Sequence, residues 1–437
     1  MNNLYKIEDV CLVKGGKRIP EGETLQETPN EHPYIRILDM YQGRILELND
    51  SMMYARDKYI SRIKKYTVNE GDVILAIVGN TLGMVSTIGK SLNNANLTEN
   101  CCKFVDINTD KVLPLFLYYS LISPLNQKKI ERFKVGSSQP KLPLYNVGQL
   151  LIPNVTVNQQ QEIIKILSTI DGKIECNQKI CSQLEAMAKT LYDYWFVQFD
   201  FPDENGRPYR TSGGEMVWNE QLKREIPKGW DIGTLSEHIT GDKNGDWGKE
   251  HKQGNYTKKV TCIRGADFPA ISSNKQLEAP TRYILGKNAS KHLCPGDIIV
   301  EISGGSPTQS TGRICYINEI TMQRFQNDII TSNFCRAFTT CEHYEQYWFY
   351  LLWKSLYDAG VLFGYEGKTT GIKNLLFDML CTQYKIISPN KSVIERFHSI
   401  VCPIFEKIQK CKVENDELIK LRDWLLPMLM NGQARVE

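Results

Sequence analysis

Three groups of residues have types and spacings that chemistry could use. The stretch Gly83-Met84-Val85-Ser86-Thr87-Ile88-Gly89-Lys90-Ser91 ends like a phosphate-binding loop and follows the apolar run Val73–Val78. A loop of that kind reads G-x-x-x-x-G-K-[ST], so that successive N–H groups close around the phosphate. Here one residue too many separates Gly83 from Gly89, and the related stretch in the second half has no GK[ST]. A strand–turn–strand explains the same glycines. Asp297 and Glu301 have the spacing of metal-dependent nuclease strands, but Ser303 stands where the usual lysine would be. The related pair is Asp72 and Ala76, so its second acid is missing. The thirteen cysteines include no CxxC, and the six histidines supply no paired ligands at short spacing. They read as reduced, buried thiols without a metal. With no GxGxxG, HExxH or base-methylation motif either, no catalytic residue is assigned.

What remains is a set of polar loops. Ser, Thr, Asn, Gln and Lys donate to phosphates and base edges, and glycine lets a backbone come close. The candidate DNA-binding residues are Asn80, Thr81, Ser137, Ser138, Gln139, Lys141, Ser306, Thr308, Gln309, Lys368, Thr369, Thr370 and Lys373. Lys17, Arg18, Lys64, Lys65 and Lys134 could add a salt-sensitive share of affinity. Net charge neither announces nor excludes such a role: 53 Lys+Arg against 50 Asp+Glu leave only +3. The placement of the cations decides.

The elements that position these loops come twice. Gly71-Asp72-Val73-Ile74-Leu75 returns as Gly296-Asp297-Ile298-Ile299-Val300, a turn before a buried strand. Thr98-Glu99-Asn100-Cys101-Cys102 is answered by Thr331-Ser332-Asn333-Phe334-Cys335. The aromatic helix Phe116-Leu117-Tyr118-Tyr119 is answered by Trp348-Phe349-Tyr350-Leu351. Two long helical patterns follow at a constant offset of 234 residues, with capping-box-like starts at Asn158/Gln161 and Ser392/Glu395. Apolar residues alternate at three and four along each: Leu167, Ile170, Ile174, Asn177, Leu184 and Leu191, then Val401, Ile404, Ile408, Asn415, Leu418 and Leu425. That is a coiled-coil seam, with a polar Asn in each helix to fix register.

The order is therefore a globule (1–157), a long helix (158–199), a connecting segment rich in Gly, Pro and charge (200–228), a second globule (229–391) and a second long helix (392–432). The fold class is mixed α/β (α+β), with an internal pseudo-two-fold repeat and the helices paired as an antiparallel coiled coil. With 437 residues, 41% hydrophobic and 24% charged, each unit can bury a core. No signal peptide or membrane span is read, so a soluble cytoplasmic chain is expected. A helix of about 40 residues is on the order of 60 Å long, and binding modules on a stiff spacer read half-sites at a set separation.

This plan resembles the specificity subunit of type I restriction–modification systems over almost the whole chain. The likeness rests on the duplicated Gly-Asp strand, Gly136-Ser137-Ser138-Gln139-Pro140-Lys141-Leu142, the two long helices and Ile226-Pro227-Lys228-Gly229-Trp230. The stretch from Trp195 to Glu220 is similar to the link in one branch of that family. The resemblance implies a non-catalytic protein whose globules are target-recognition domains, each reading half of a bipartite site in double-stranded DNA. It implies two methyltransferase subunits using S-adenosylmethionine, and motor-nuclease subunits using ATP and Mg, with no cofactor in this chain. The second polar loop, Gly367-Lys368-Thr369-Thr370-Gly371, lacks the Ser-Gln-Pro of the first, so an asymmetric target is expected. Two other readings stay open: a coiled-coil protein scaffold using aromatic clusters such as Tyr347–Tyr350, and a nucleotide hydrolase using Gly83–Ser91.

Overall fold

A computed structural model describes residues 4–272, 277–304, 306, 309–369 and 372–434; for Gln42, Lys368 and Thr369 it describes the backbone alone. The chain divides into two compact units. The first is Met1–Gly172 with Ile419–Glu437, and the second is Lys173–Leu418. The division falls inside both long helices, so each unit owns a piece of each.

Among the described residues, the first unit holds a five-stranded sheet ordered Leu12–Gly15, Cys101–Val105, Val73–Ala76, Val85–Ile88, Ile45–Leu46. All neighbours are antiparallel except the last pair. Strand side chains alternate between faces, and here both faces are covered. Val73 and Leu75 join Phe116, Leu117 and Tyr119 of the helix Pro114–Ile122, while Ile74 and Ala76 join Ile35, Leu46 and Leu97. A strand buried on both sides must be apolar throughout, which explains the unbroken Val-Ile-Leu-Ala.

The second unit repeats the plan. Its sheet runs Ile239–Asn244, Cys335–Thr340, Asp297–Glu301, Ile314–Tyr316, and the strand Asp297–Glu301 again feeds two cores, Ile298 and Val300 into one and Ile299 into another. In both units a three-stranded sheet lies alongside, with one parallel pair: Pro33–Ile35 with Asn96–Leu97, and Tyr256–Ile263 with Ile329–Thr331. The aromatic residues Tyr347, Trp348, Phe349 and Tyr350 are buried in the helix Gln346–Asp358. They are core, so this cluster offers the scaffold reading no surface.

The long helices span Val157–Tyr192, prolonged by a wider turn at Asp193–Val197, and Lys391–Met430. Their caps lie two residues upstream of the expected ones. Thr156 and Gln159 form the reciprocal box, Thr156 N donating to Gln159 Oε1 (3.0 Å) and Gln159 N to Thr156 Oγ1 (3.3 Å). At the corresponding place in the second helix, Asn390 O accepts from Val393 and Ile394. The offset of the repeat is kept, but Asn158 and Ser392 are already helical. Pro403 sits inside the second helix on its exposed side, where the carbonyl it leaves unbonded faces solvent.

Inside each unit the helix segments run antiparallel. In the first, Ile163 and Leu167 pack with Leu426, Leu429 and Met430, and Asp171 binds Arg422. In the second, Asn177 Nδ2 donates to Asn415 Oδ1 (2.9 Å) and Glu414 (2.8 Å), and Cys181 lies against the Ile408 carbonyl. The two seam asparagines thus meet each other, a pairing that only one register permits. Leu167, Ile170, Ile174, Val401, Ile404 and Ile408 are buried; Leu184, Leu191, Leu418 and Leu425 are half-buried.

The segment 200–228 is packed structure belonging to the second unit. Phe201 stacks on Trp230 (5.0 Å) and Tyr209 (4.6 Å), and Met216–Asn219 pairs with Arg224–Pro227 as a hairpin. The Gly83–Ser91 stretch is the strand Val85–Ile88 followed by the turn Lys90–Leu92. The Glu47 carboxylate accepts from Ser91 N (3.1 Å), and a phosphate would have to displace it. Asp297 is held by Lys243 (2.6 Å) and Glu301 by Arg313 (2.6 and 2.9 Å), so both buried acids are neutralised by half-buried cations. No helix among the described residues is long and apolar enough to cross a membrane.

Candidate nucleic-acid interface

In each unit the buried central strand ends where three other segments converge, held by matching backbone bonds. Ile77 N donates to Asn100 O (2.8 Å) and Ile77 O accepts from Leu142 N (2.8 Å). In the second unit Ile302 N donates to Phe334 O (2.8 Å) and Ile302 O accepts from Leu375 N (2.9 Å). Gly79 and Gly304, two residues on, both take the positive φ that frees the chain to turn away.

The fourth segment has no visible signal in the sequence. Gly16 and Gly245, each just beyond the first strand of its sheet, run hard against the turn opposite. A Cβ on Gly16 would meet Thr98 O at 2.1 Å, and one on Gly245 would meet Ser332 O at 1.9 Å. The obstacle is backbone, which cannot swing away. Gly16→Ala and Gly245→Ala should therefore each cost about 1–3 kcal/mol or more, read as a lower Tm by calorimetry. An unchanged Tm in both would mean that the close approach does not matter.

The first site is amide-rich and basic. Val135 and Lys141 exchange both backbone bonds (2.8 and 2.9 Å), closing a loop whose tip presents Ser137, Ser138 and Gln139 to solvent. Asn80 is exposed beside it, because Gly79 N is anchored on Pro140 O. Thr81 is buried, its hydroxyl directed to Val78 O. Arg18, Asn100, Gln139 and Lys141 line a groove of about 730 Å³, with Glu99 against Arg18 at 3.7 Å. The structure thus brings Asn80, Ser137, Ser138, Gln139 and Lys141 together and turns Thr81 inward.

The second site has another shape. The expected loop is a hairpin, Glu366–Thr369 with Ile372–Leu375, in which Lys368 and Lys373 stand directly opposite. Two lysines at facing positions are an unfavourable pattern for strand pairing, which hid the hairpin in the sequence. Glu366 binds Lys373 (3.0 Å). Burial raises the Glu366 pKa, but the Thr311 N–H, Lys373 and Ser310 outweigh that and hold it below the usual carboxylate range. Ser306 and Gln309 bridge each other (3.0 and 3.2 Å), with Gln309 exposed. Thr308 and Thr370 lie outside the described residues, as do the side chains of Lys368 and Thr369. Trp247, Phe334 and Asn374 complete the site, at the places of Arg18, Asn100 and Lys141 in the first.

Comparison with known proteins follows the same lines. Residues 2–186 match the type I restriction modification DNA specificity domain. The MjaIX specificity subunit of Methanocaldococcus jannaschii is 24% identical over 100% of this chain and 94% of its own, and the HindI specificity subunit of Haemophilus influenzae is 24% identical over 88% and 92%. The crystal structure of a type I S subunit from M. genitalium shares the fold, with a TM-score of 0.53 at 17% identity over 98% of this chain and 96% of that one. A duplicated mixed α/β unit with paired long helices, opening on this domain, is thus similar over its whole length to type I restriction–modification specificity subunits.

Proposed function

We propose that the chain works as the non-catalytic DNA-reading subunit of a type I restriction–modification complex, recognising an asymmetric bipartite target with one half-site per unit. One observation carries this reading: the same four-segment site is built twice on equivalent backbone bonds and filled with different side chains. Equivalent frames with unlike surfaces suit two unlike words. Phosphate contacts would come from the basic residues, and base edges would be met by Ser, Gln and Asn in the first site. The seam, with its single asparagine register, would fix the length of unread spacer. Methyltransferase subunits, two by this reading, would bring S-adenosylmethionine; motor-nuclease subunits would bring ATP and Mg; none of these groups would reside here. Action in the cytoplasm follows from the same reading.

The test is co-expression with a cognate methyltransferase, followed by methylation mapping of the host genome. A two-part asymmetric motif with a fixed gap is expected, and a continuous or palindromic motif would refute the proposal. On the mapped duplex, Lys141→Ala should lower the slope of log affinity against log salt by about 1. The triple change Ser137→Ala, Ser138→Ala and Gln139→Ala should relax one half-site, leaving the other half-site and subunit assembly intact. The corresponding change at Lys368, Thr369 and Thr370 should affect only the second half-site. Loss of assembly in either would make that segment structural.

A further inference from the structure

In the second unit the loop Gly245–Lys249 is bonded at every residue. Lys291 Nζ donates to Gly245 O (3.2 Å), and Asp246 N donates to Thr331 O (2.8 Å). Asn288 and Gly248 N bind the Asp246 carboxylate (2.6 and 2.9 Å). Trp247 N donates to Asn333 Oδ1 (3.0 Å), Arg282 Nε donates to Trp247 O (3.1 Å), and Lys249 exchanges both backbone bonds with Tyr283. This rigid loop displays Trp247, 38% exposed, next to the segment that carries Phe334, 56% exposed. The guanidinium of Arg282, itself buried and paired with Glu250 at 3.2 Å, lies 3.9 Å from the indole centroid. A large ring kept in water in one fixed pose adds nothing to the core, but it is what a binding anchor requires.

We propose that the free face of Trp247 packs on the 5-methyl group of a thymine in the half-site read by the second unit; this rests on the DNA-reading function above. The ring's exposed face offers no base-edge hydrogen bond, and the apolar group that base pairs present in a groove is the thymine methyl. Insertion between bases needs both faces of the ring, and Arg282 covers one. The first unit has Arg18 at this position, so the two units differ in kind of contact: charge and hydrogen bonds in one, apolar packing in the other.

The test uses the full chain and duplexes carrying the mapped target, with each thymine replaced in turn by uracil. For the unmodified protein, one position in the second half-site should weaken binding about fourfold, the worth of one buried methyl. Trp247→Ala should weaken binding about tenfold or more, leave the salt slope unchanged and lose the uracil effect at that position, because the partner of the methyl is gone. Should the alanine variant fail to fold, Trp247→Phe carries the comparison and should keep part of the effect. A flat uracil scan overturns the proposal, and so does a Trp247 variant that discriminates uracil as well as the parent. Loss of subunit assembly at unchanged DNA affinity overturns it too, since the ring would then face a protein. A parent chain that cannot tell its target from scrambled duplex would instead refute DNA reading itself.

Discussion

Replacing Asp171 by alanine is expected to destabilise the first unit by about 3–5 kcal/mol, the usual cost of removing one partner from a buried ion pair. Asp171 is buried and binds the Tyr119 hydroxyl (2.7 Å), Arg422 (3.1 Å) and, more distantly, Arg44 (3.9 Å). It ties both long helices to the aromatic helix and to the chain before Ile45. Burial, with the Asp171 charge next, pushes the Tyr119 pKa well up, so the phenol remains a donor across the accessible range. Without the carboxylate, the buried Tyr119 hydroxyl loses its acceptor and the half-buried Arg422 guanidinium keeps only Asp423. Urea unfolding followed by a first-unit probe should show an earlier midpoint. Asp171→Ala with Arg422→Ala should cost less than the sum of the two, as they share one interaction. A loss below about 1 kcal/mol would demote the cluster to an ordinary surface pair.

The second large effect concerns Lys412 and Glu185. Lys412 is buried in the second unit, donates to Ile271 O (3.2 Å) and lies 3.7 Å from Glu185. Burial pushes its pKa down to about 8, only partly opposed by Glu185, and burial pushes Glu185 up. The sign follows from linkage. An unfolded lysine holds its proton to about pH 10.4, so between pH 8 and 10.4 the unfolded chain binds more protons and this group's contribution to stability rises with pH. Below pH 8 its cost is constant, roughly 3 kcal/mol. Glu185→Leu combined with Lys412→Met should therefore be more stable than the parent by about 1–4 kcal/mol at pH 7. That advantage should shrink at pH 9.5. Paired urea titrations at the two pH values measure both, and an advantage that grows with pH would reverse the argument.

The sequence made the duplication, the doubly covered strands and the helical seams legible, because all three are periodic patterns of apolar residues. The meeting of Asn177 with Asn415 could be expected only as two separate polar seam positions; their pairing depends on the register of two segments far apart in the chain. The helix starts lie two residues from the expected ones because Thr156-x-x-Gln159 and Asn158-x-x-Gln161 are both plausible boxes, and the first is the one that forms. The segment 200–228 looks like a linker by composition, yet Phe201, Tyr209 and Trp230 give it a core. In the candidate site, exposed polar loops could be recognised by residue type. The strip containing Arg18 and Trp247 could not: Lys-Arg and Asp-Trp have nothing in common, and Gly16 and Gly245 acquire meaning only against the carbonyls they approach.

Leu426, Leu429 and Met430 are built into the same core as Ile7, Phe116 and Leu167, and Ser120 touches Met430 across 310 residues of chain. During synthesis the unit that begins first must therefore wait for the last helical turns to leave the ribosome before its wall is closed. The second unit, lying wholly between, has all its strands long before. A ribosome that stops early would release a molecule with one finished unit and one unfinished one. Such a product would be open to proteases at the unfinished unit.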